Sequence, residues 1–202
     1  LHRRRDAACS TGLELGRLMK LAWLSLGLGL LLALLGGWSL ARPQQAARAW
    51  QRFPRSVGWG TLLMLLATGW FLYYVAQENI ADFAPIKPHL MLAFGAVGVG
   101  TCLFVKDYLG ARGLAVVWLL LAKCMVDTGR PHLSETPWVL VNQTLAYALV
   151  LAGMWVTISP FRLRDGIGWC TAGTTRFRIV SIGLLAVGLL LMVLAETAYR
   201  GL

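Results

Sequence analysis

The sequence predicts an all-α integral membrane protein with six transmembrane helices, and three observations carry that prediction. Of 202 residues, 57% are hydrophobic and only 14% are charged, where soluble domains carry about 25%. Six apolar stretches approach the roughly 20 residues that a helix rising about 1.5 Å per residue needs to cross a hydrocarbon core. The basic residues fall in short blocks between those stretches, as they do in loops that face an anionic membrane surface. The formal net charge of +10 is therefore read as a membrane signature, not a nucleic-acid footprint.

Each span follows from its run of uncharged residues. Residues 21–40 and 56–77 contain no charge, and 88–105, 136–161 and 179–195 are equally clean. The fourth span is different: its apolar run, 113–122, has 10 residues before Lys123 interrupts it. It reaches spanning length only by continuing through Lys123 and Asp127 to about Thr128. Trp23, Trp38, Trp59, Trp138 and Trp155 fall near the proposed span ends, where amphipathic rings meet headgroups.

Orientation comes from the loops. Arg42, Arg48, Arg52 and Arg55, then Lys106 and Arg112, then Arg162, Arg164, Arg176 and Arg178 all lie on one side. The other side holds Lys20, Lys87, Arg130 and Arg200, together with Glu78, Asp82, Asp127, Glu135 and Glu196. The basic side is assigned to the cytoplasm, so both termini are expected outside a bacterial inner membrane. Residues 1–18 break the pattern, because Arg3, Arg4, Arg5 and Arg17 would sit on the wrong side. They read as a non-native upstream extension or a disordered basic arm, and residues 19–202 as a single six-span domain.

Two connectors resemble each other. In both, a Trp precedes a Pro by five residues (Trp38 and Pro43; Trp155 and Pro160). A second Trp, an Arg-Phe pair and a Ser-x-Gly sequence then lead into the next span (Ser56 and Gly58; Ser181 and Gly183). Pro begins a new helix but cannot continue the old one, so each chain segment is expected to turn and lie in the interface. This raises a parallel repeat in which spans 1–2 and 5–6 flank a central pair; convergent basic connectors are the alternative. The segment "SPFRLRDGIGW" resembles small two-helix bacterial inner-membrane proteins of unassigned activity. The chain as a whole is similar to uncharacterised multi-pass bacterial membrane proteins. That resemblance implies a membrane location and transfers no functional residue.

Candidate chemistry is sparse. Lys123 lies 11 residues beyond Arg112, roughly 16 Å along a helix, with Asp127 one turn further on. Charges within a span are a functional-site hypothesis by default, as a proton relay or a substrate counter-ion. The plainer reading is an i,i+4 ion pair, although Lys before Asp is the less favourable order and leaves room for outside partners. Asn142 and Gln143 in "VNQTLAY" are expected near the depth of Asp127, as part of the same polar site or as hydrogen-bonding glue between helices. Buried within a span, the Asn142-Gln143-Thr144 sequon is not a glycosylation site.

Cys9, Cys102, Cys124 and Cys170 have neither C-x-x-C nor metal-ligand spacing. Cys170, in a basic loop, is either an inert thiol or a reactive or palmitoylated one. His89 and His132, with Glu78, Asp82 and Glu135, would have to converge before a metal site or a catalytic cluster could form. "GAVGVG" follows no strand, so it and Gly29, Gly36 and Gly37 are read as helix-packing positions. No metal, cofactor or catalytic residue is therefore assigned.

The function expected is that of a non-catalytic accessory or scaffold subunit. Its partners would be the lipid bilayer and either another membrane protein or further copies of itself, with no nucleic acid. The alternatives are a small transporter or channel using Lys123, Asp127, Asn142 and Gln143, or a membrane enzyme acting on lipid or quinone.

Overall fold

The computed structural model describes residues 2–77, 86–105, 107–133 and 136–199, with side chains described from residue 21 onward. Among the described residues every regular element is helical: α1 (His2–Ala41), α2 (Pro43–Arg52), α3 (Val57–Gln77), α4 (Lys87–Phe104), α5 (Leu109–Gly129), α6 (Val139–Ile158), α7 (Phe161–Thr171) and α8 (Thr174–Thr197). Single 3-10 turns, Phe53–Arg55 and Arg130–His132, follow α2 and α5.

Six of these helices are long and apolar enough to cross a membrane, with mean hydropathies between 1.3 and 2.5. Their bounds track the sequence expectation with physical corrections. The fourth span starts at Leu109 and runs to His132, so it takes in Arg112 and Lys123, with Asp127 in the last turn of α5. The fifth is shorter than its apolar run, because Pro137 and Pro160 hold its ends in turns. The sixth gains a turn that carries Arg176 and Arg178. The two Trp-Pro connectors form the short helices α2 and α7, each opening at or directly after its proline.

The contacts divide the chain into two compact units. The first joins α1 and α8 with the end of α5 and the beginning of α6. Its core is Leu21, Ala22, Val139, Leu194, Ala195 and Tyr199, and the Tyr199 hydroxyl donates to the Trp138 carbonyl at 3.2 Å. Between α1 and α8 the backbones touch. A Cβ on Gly29 would stand 2.7 Å from the Gly188 carbonyl oxygen, and one on Gly188 would stand 2.5 Å from the Ala33 nitrogen. One on Gly36 would meet the Leu185 nitrogen at 2.7 Å. Glycine at these three positions is a requirement of the packing.

The second unit holds α3, α4, the beginning of α5, the end of α6 and α7. Here too glycine sets the approach, with Gly60 against Gly110 and Leu109, Gly110 against Phe53, and Gly98 against Thr68. Phe71 meets Phe94 edge to face at 5.0 Å. Lys87 at the start of α4 donates to the Ala76 carbonyl at 2.6 Å, satisfying an acceptor that the end of α3 cannot pair internally.

Hydroxyls along the spans turn inward on their own helices. Thr68, Thr101, Thr128, Thr144, Thr157 and Ser181 each donate to the carbonyl four residues back, at 2.7 or 2.8 Å.

Replacing Gly29 by Ala should lower stability by about 1–3 kcal/mol through overpacking. At Gly37, where a Cβ meets only the Leu185 side chain at 3.7 Å, Ala should be neutral or stabilising by up to about 1 kcal/mol. Thermal unfolding of the two variants in detergent checks the contrast; equal responses would remove the α1–α8 seam from the account.

Candidate functional site

The four polar residues picked out in the sequence occupy two places in the first unit. Lys123 Nζ and Asp127 Oδ2 are 2.6 Å apart in a closed ion pair, with side chains 45% and 52% exposed. They share a face because residues four apart on a helix stand almost above one another. Asn142 and Gln143 are buried and lie against Gly129, where an added Cβ would be 3.1 Å from Gln143 Oε1 and 3.7 Å from Asn142 Nδ2. At 100° per residue, Gly129 sits well round α5 from both Lys123 and Asp127. The structure thus joins Lys123 to Asp127 and Asn142 to Gln143, and α5 itself stands between the pairs.

Asn142 is fully buried, and neither amide atom has a hydrogen-bond partner among the described residues; Gln143 Oε1 is in the same position. A buried amide left unpaired is costly, so these two side chains are the polar groups of this corner whose hydrogen-bonding capacity is least used.

The two histidines belong to different units. His89 is exposed at the start of α4, and His132 is 1% exposed in the turn after α5. Glu78, Asp82, Lys106, Glu135 and Arg200 lie outside the described residues, as do the side chains of Cys9 and Lys20. Among the described residues no group of three His, Cys, Asp or Glu side chains is placed to hold a metal.

A cluster that the sequence did not single out lies in the second unit. Tyr108, directly before α5, adopts φ 54°, the left-handed region that a bulky side chain rarely enters. Its ring lies under Arg55, whose guanidinium carbon is 5.6 Å from the centroid. Its hydroxyl accepts hydrogen bonds from Arg55 at 3.3 Å and Arg164 at 3.1 Å. Arg164 also grips Asp165 through Nε and Nη2, at 2.9 and 2.7 Å. The Arg55 hydrogen bond, aided by the charges of Arg164 and Arg55, lowers the Tyr108 pKa below that of an ordinary tyrosine. The Asp165 hydrogen bond and charge raise that of Arg164.

Beside this cluster is an open cleft of about 590 Å³ lined by α7, the end of α2, the middle of α5 and the last turns of α6. Trp50, Trp118, Trp155, Phe161 and Ile167 give it apolar walls, while Arg162 and Asp165 stand at its rim. Reading the loop arginines for orientation alone hid the cluster. The available signal was aromatic: three of the nine Trp converge here, and Trp118 falls in mid-run, where a headgroup anchor is not expected.

No family model, curated protein or solved structure matches the chain. The local geometry therefore carries the functional reading.

Lys123→Met and Asp127→Leu should each destabilise the protein, and the double replacement should recover most of the loss, with a coupling of about 0.5–3 kcal/mol. A thermal double-mutant cycle in detergent measures this, and additive losses would mean that the two charges serve other partners. In a spectrophotometric pH titration, tyrosinate absorbance should appear at lower pH in the native protein than in Tyr108→Phe. The lowered pKa means that folding favours ionised Tyr108, so its contribution to stability should grow as pH rises through the folded-state pKa and be lost as pH falls below it.

Proposed function

We propose that this chain is a non-catalytic multi-pass membrane subunit that works by packing against another membrane protein chain. Its setting is a bacterial inner membrane, with both termini outward and with spans 1–2 and 5–6 forming a parallel repeat around a central pair. The observation that carries the reading is the position of the Lys123–Asp127 pair. Of the six spans, that of α5 has the largest buried share, 44%. Within α5, from Leu109 to Gly129, Lys123 and Asp127 are nonetheless the exposed residues.

Charges within membrane helices face a bundle interior or water, because hydrocarbon cannot solvate them and even mild scales put the cost at about 2.5–3.5 kcal/mol each. Pairing reduces that cost without removing it. A neighbouring chain with donors and acceptors at the same depth would remove more. The pair carries both signs and is self-complementary, so a second copy of this chain meets the requirement.

A transporter is the second reading. It is favoured by Asn142 and Gln143, whose unpaired buried amides could receive a polar solute.

A photo-reactive residue at Cys124, beside the pair on α5, should cross-link in membranes to protein: a second copy or a different chain. Cross-links to lipid alone would falsify the subunit reading. Solute flux through vesicles holding the purified chain, lost in Asn142→Leu, would replace it with the second reading.

A further inference from the structure

We propose that the cleft under α7 is a binding site for an anionic phospholipid, with an acyl chain between Trp118 and Trp155 and the phosphate at Arg162. The cleft, at about 590 Å³, falls within the roughly 300–1,000 Å³ of small-molecule sites. Its lining is mostly apolar, with Arg162 and Asp165 as its two charged residues. Its floor is Ala152, Trp155 and Val156 on the last turns of α6, with Trp118 of α5. Ala152 lies six residues before the end of α6, about 9 Å into the span. Its roof is the short helix α7, which follows Pro160 and carries Phe161, Leu163 and Ile167 inward.

Charge complementarity selects the head. Asp165 is the acidic group of the lining, and its Oδ1 accepts two hydrogen bonds from Arg164, whose charge offsets its own. Arg162 makes no ion pair among the described residues; its guanidinium lies over the Trp155 ring, 5.3 Å from the centroid. A cation held flat on an aromatic wall still has N–H groups directed outward, the fork that recognises phosphate oxygens. Arg55 and Arg164, gathered on Tyr108 alongside, add positive potential on the same side. A zwitterionic lipid would bring its own cation into that field, whereas an anionic one would not.

The test uses the full chain in phosphatidylcholine vesicles containing a minor fraction of acyl-brominated lipid, with quenching of tryptophan fluorescence as the readout. Brominated phosphatidylglycerol should occupy the cleft about fivefold more than brominated phosphatidylcholine, the preference expected of one basic residue at an anionic surface. Arg162→Gln should abolish the preference, and Ala152→Phe, which fills the cleft and keeps the arginine, should reduce quenching by both lipids. Arg176→Gln, at a basic residue that does not line the cleft, should leave the preference intact. Equal quenching by the two lipids overturns the proposal. So does an equal loss in the Arg162 and Arg176 variants, which would assign the effect to the basic surface as a whole.

Discussion

The close approach of α1 and α8 is the contact on which the first unit depends. Between two helices in lipid there is no hydrophobic gain from association, since the tails are as apolar as the side chains they replace. What remains is dispersion at short range, which falls away within an ångström of separation. Gly29, Gly36 and Gly188 let the two backbones meet with no side chain between them. The same device recurs in the second unit, where Gly60 and Gly110 bring α3 against the start of α5. With the hydroxyls of Thr68, Thr101 and their counterparts spent on their own helices, shape rather than hydrogen bonding sets how these spans pair.

Charge is distributed by the same economy of solvation. At the ends of the spans, Arg55, Arg162 and Arg164 reach aromatic rings, a phenol and a carboxylate in surroundings that water can enter. Each such contact is worth little alone. On α5 the Lys123–Asp127 pair lies on the exposed face of a helix long and apolar enough to cross a membrane.

The sequence conveyed the spans well, because length and apolarity are local properties. It placed both connectors at Pro43 and Pro160 for an equally local reason, and α2 and α7 open there. It marked Gly29 and Gly36 as packing positions but not Gly188, which meets Gly29 from α8, nor Gly60 or Gly110. Rotation about a helix axis was the least legible feature. Span length and depth suggested that Asn142 and Gln143 could meet Asp127, but they pack on Gly129, round the helix from it. The cleft under α7 was hidden for a related reason: Trp50, Trp118 and Trp155 lie on three helices, and only tertiary contact gathers them.

The closed pair on α5 also bears on how the protein meets the membrane potential. A single charge moved through 100 mV does about 2.3 kcal/mol of work. Lysine and aspartate held 2.6 Å apart carry opposite charges, so a membrane field would exert a torque on the pair but no net pull on it.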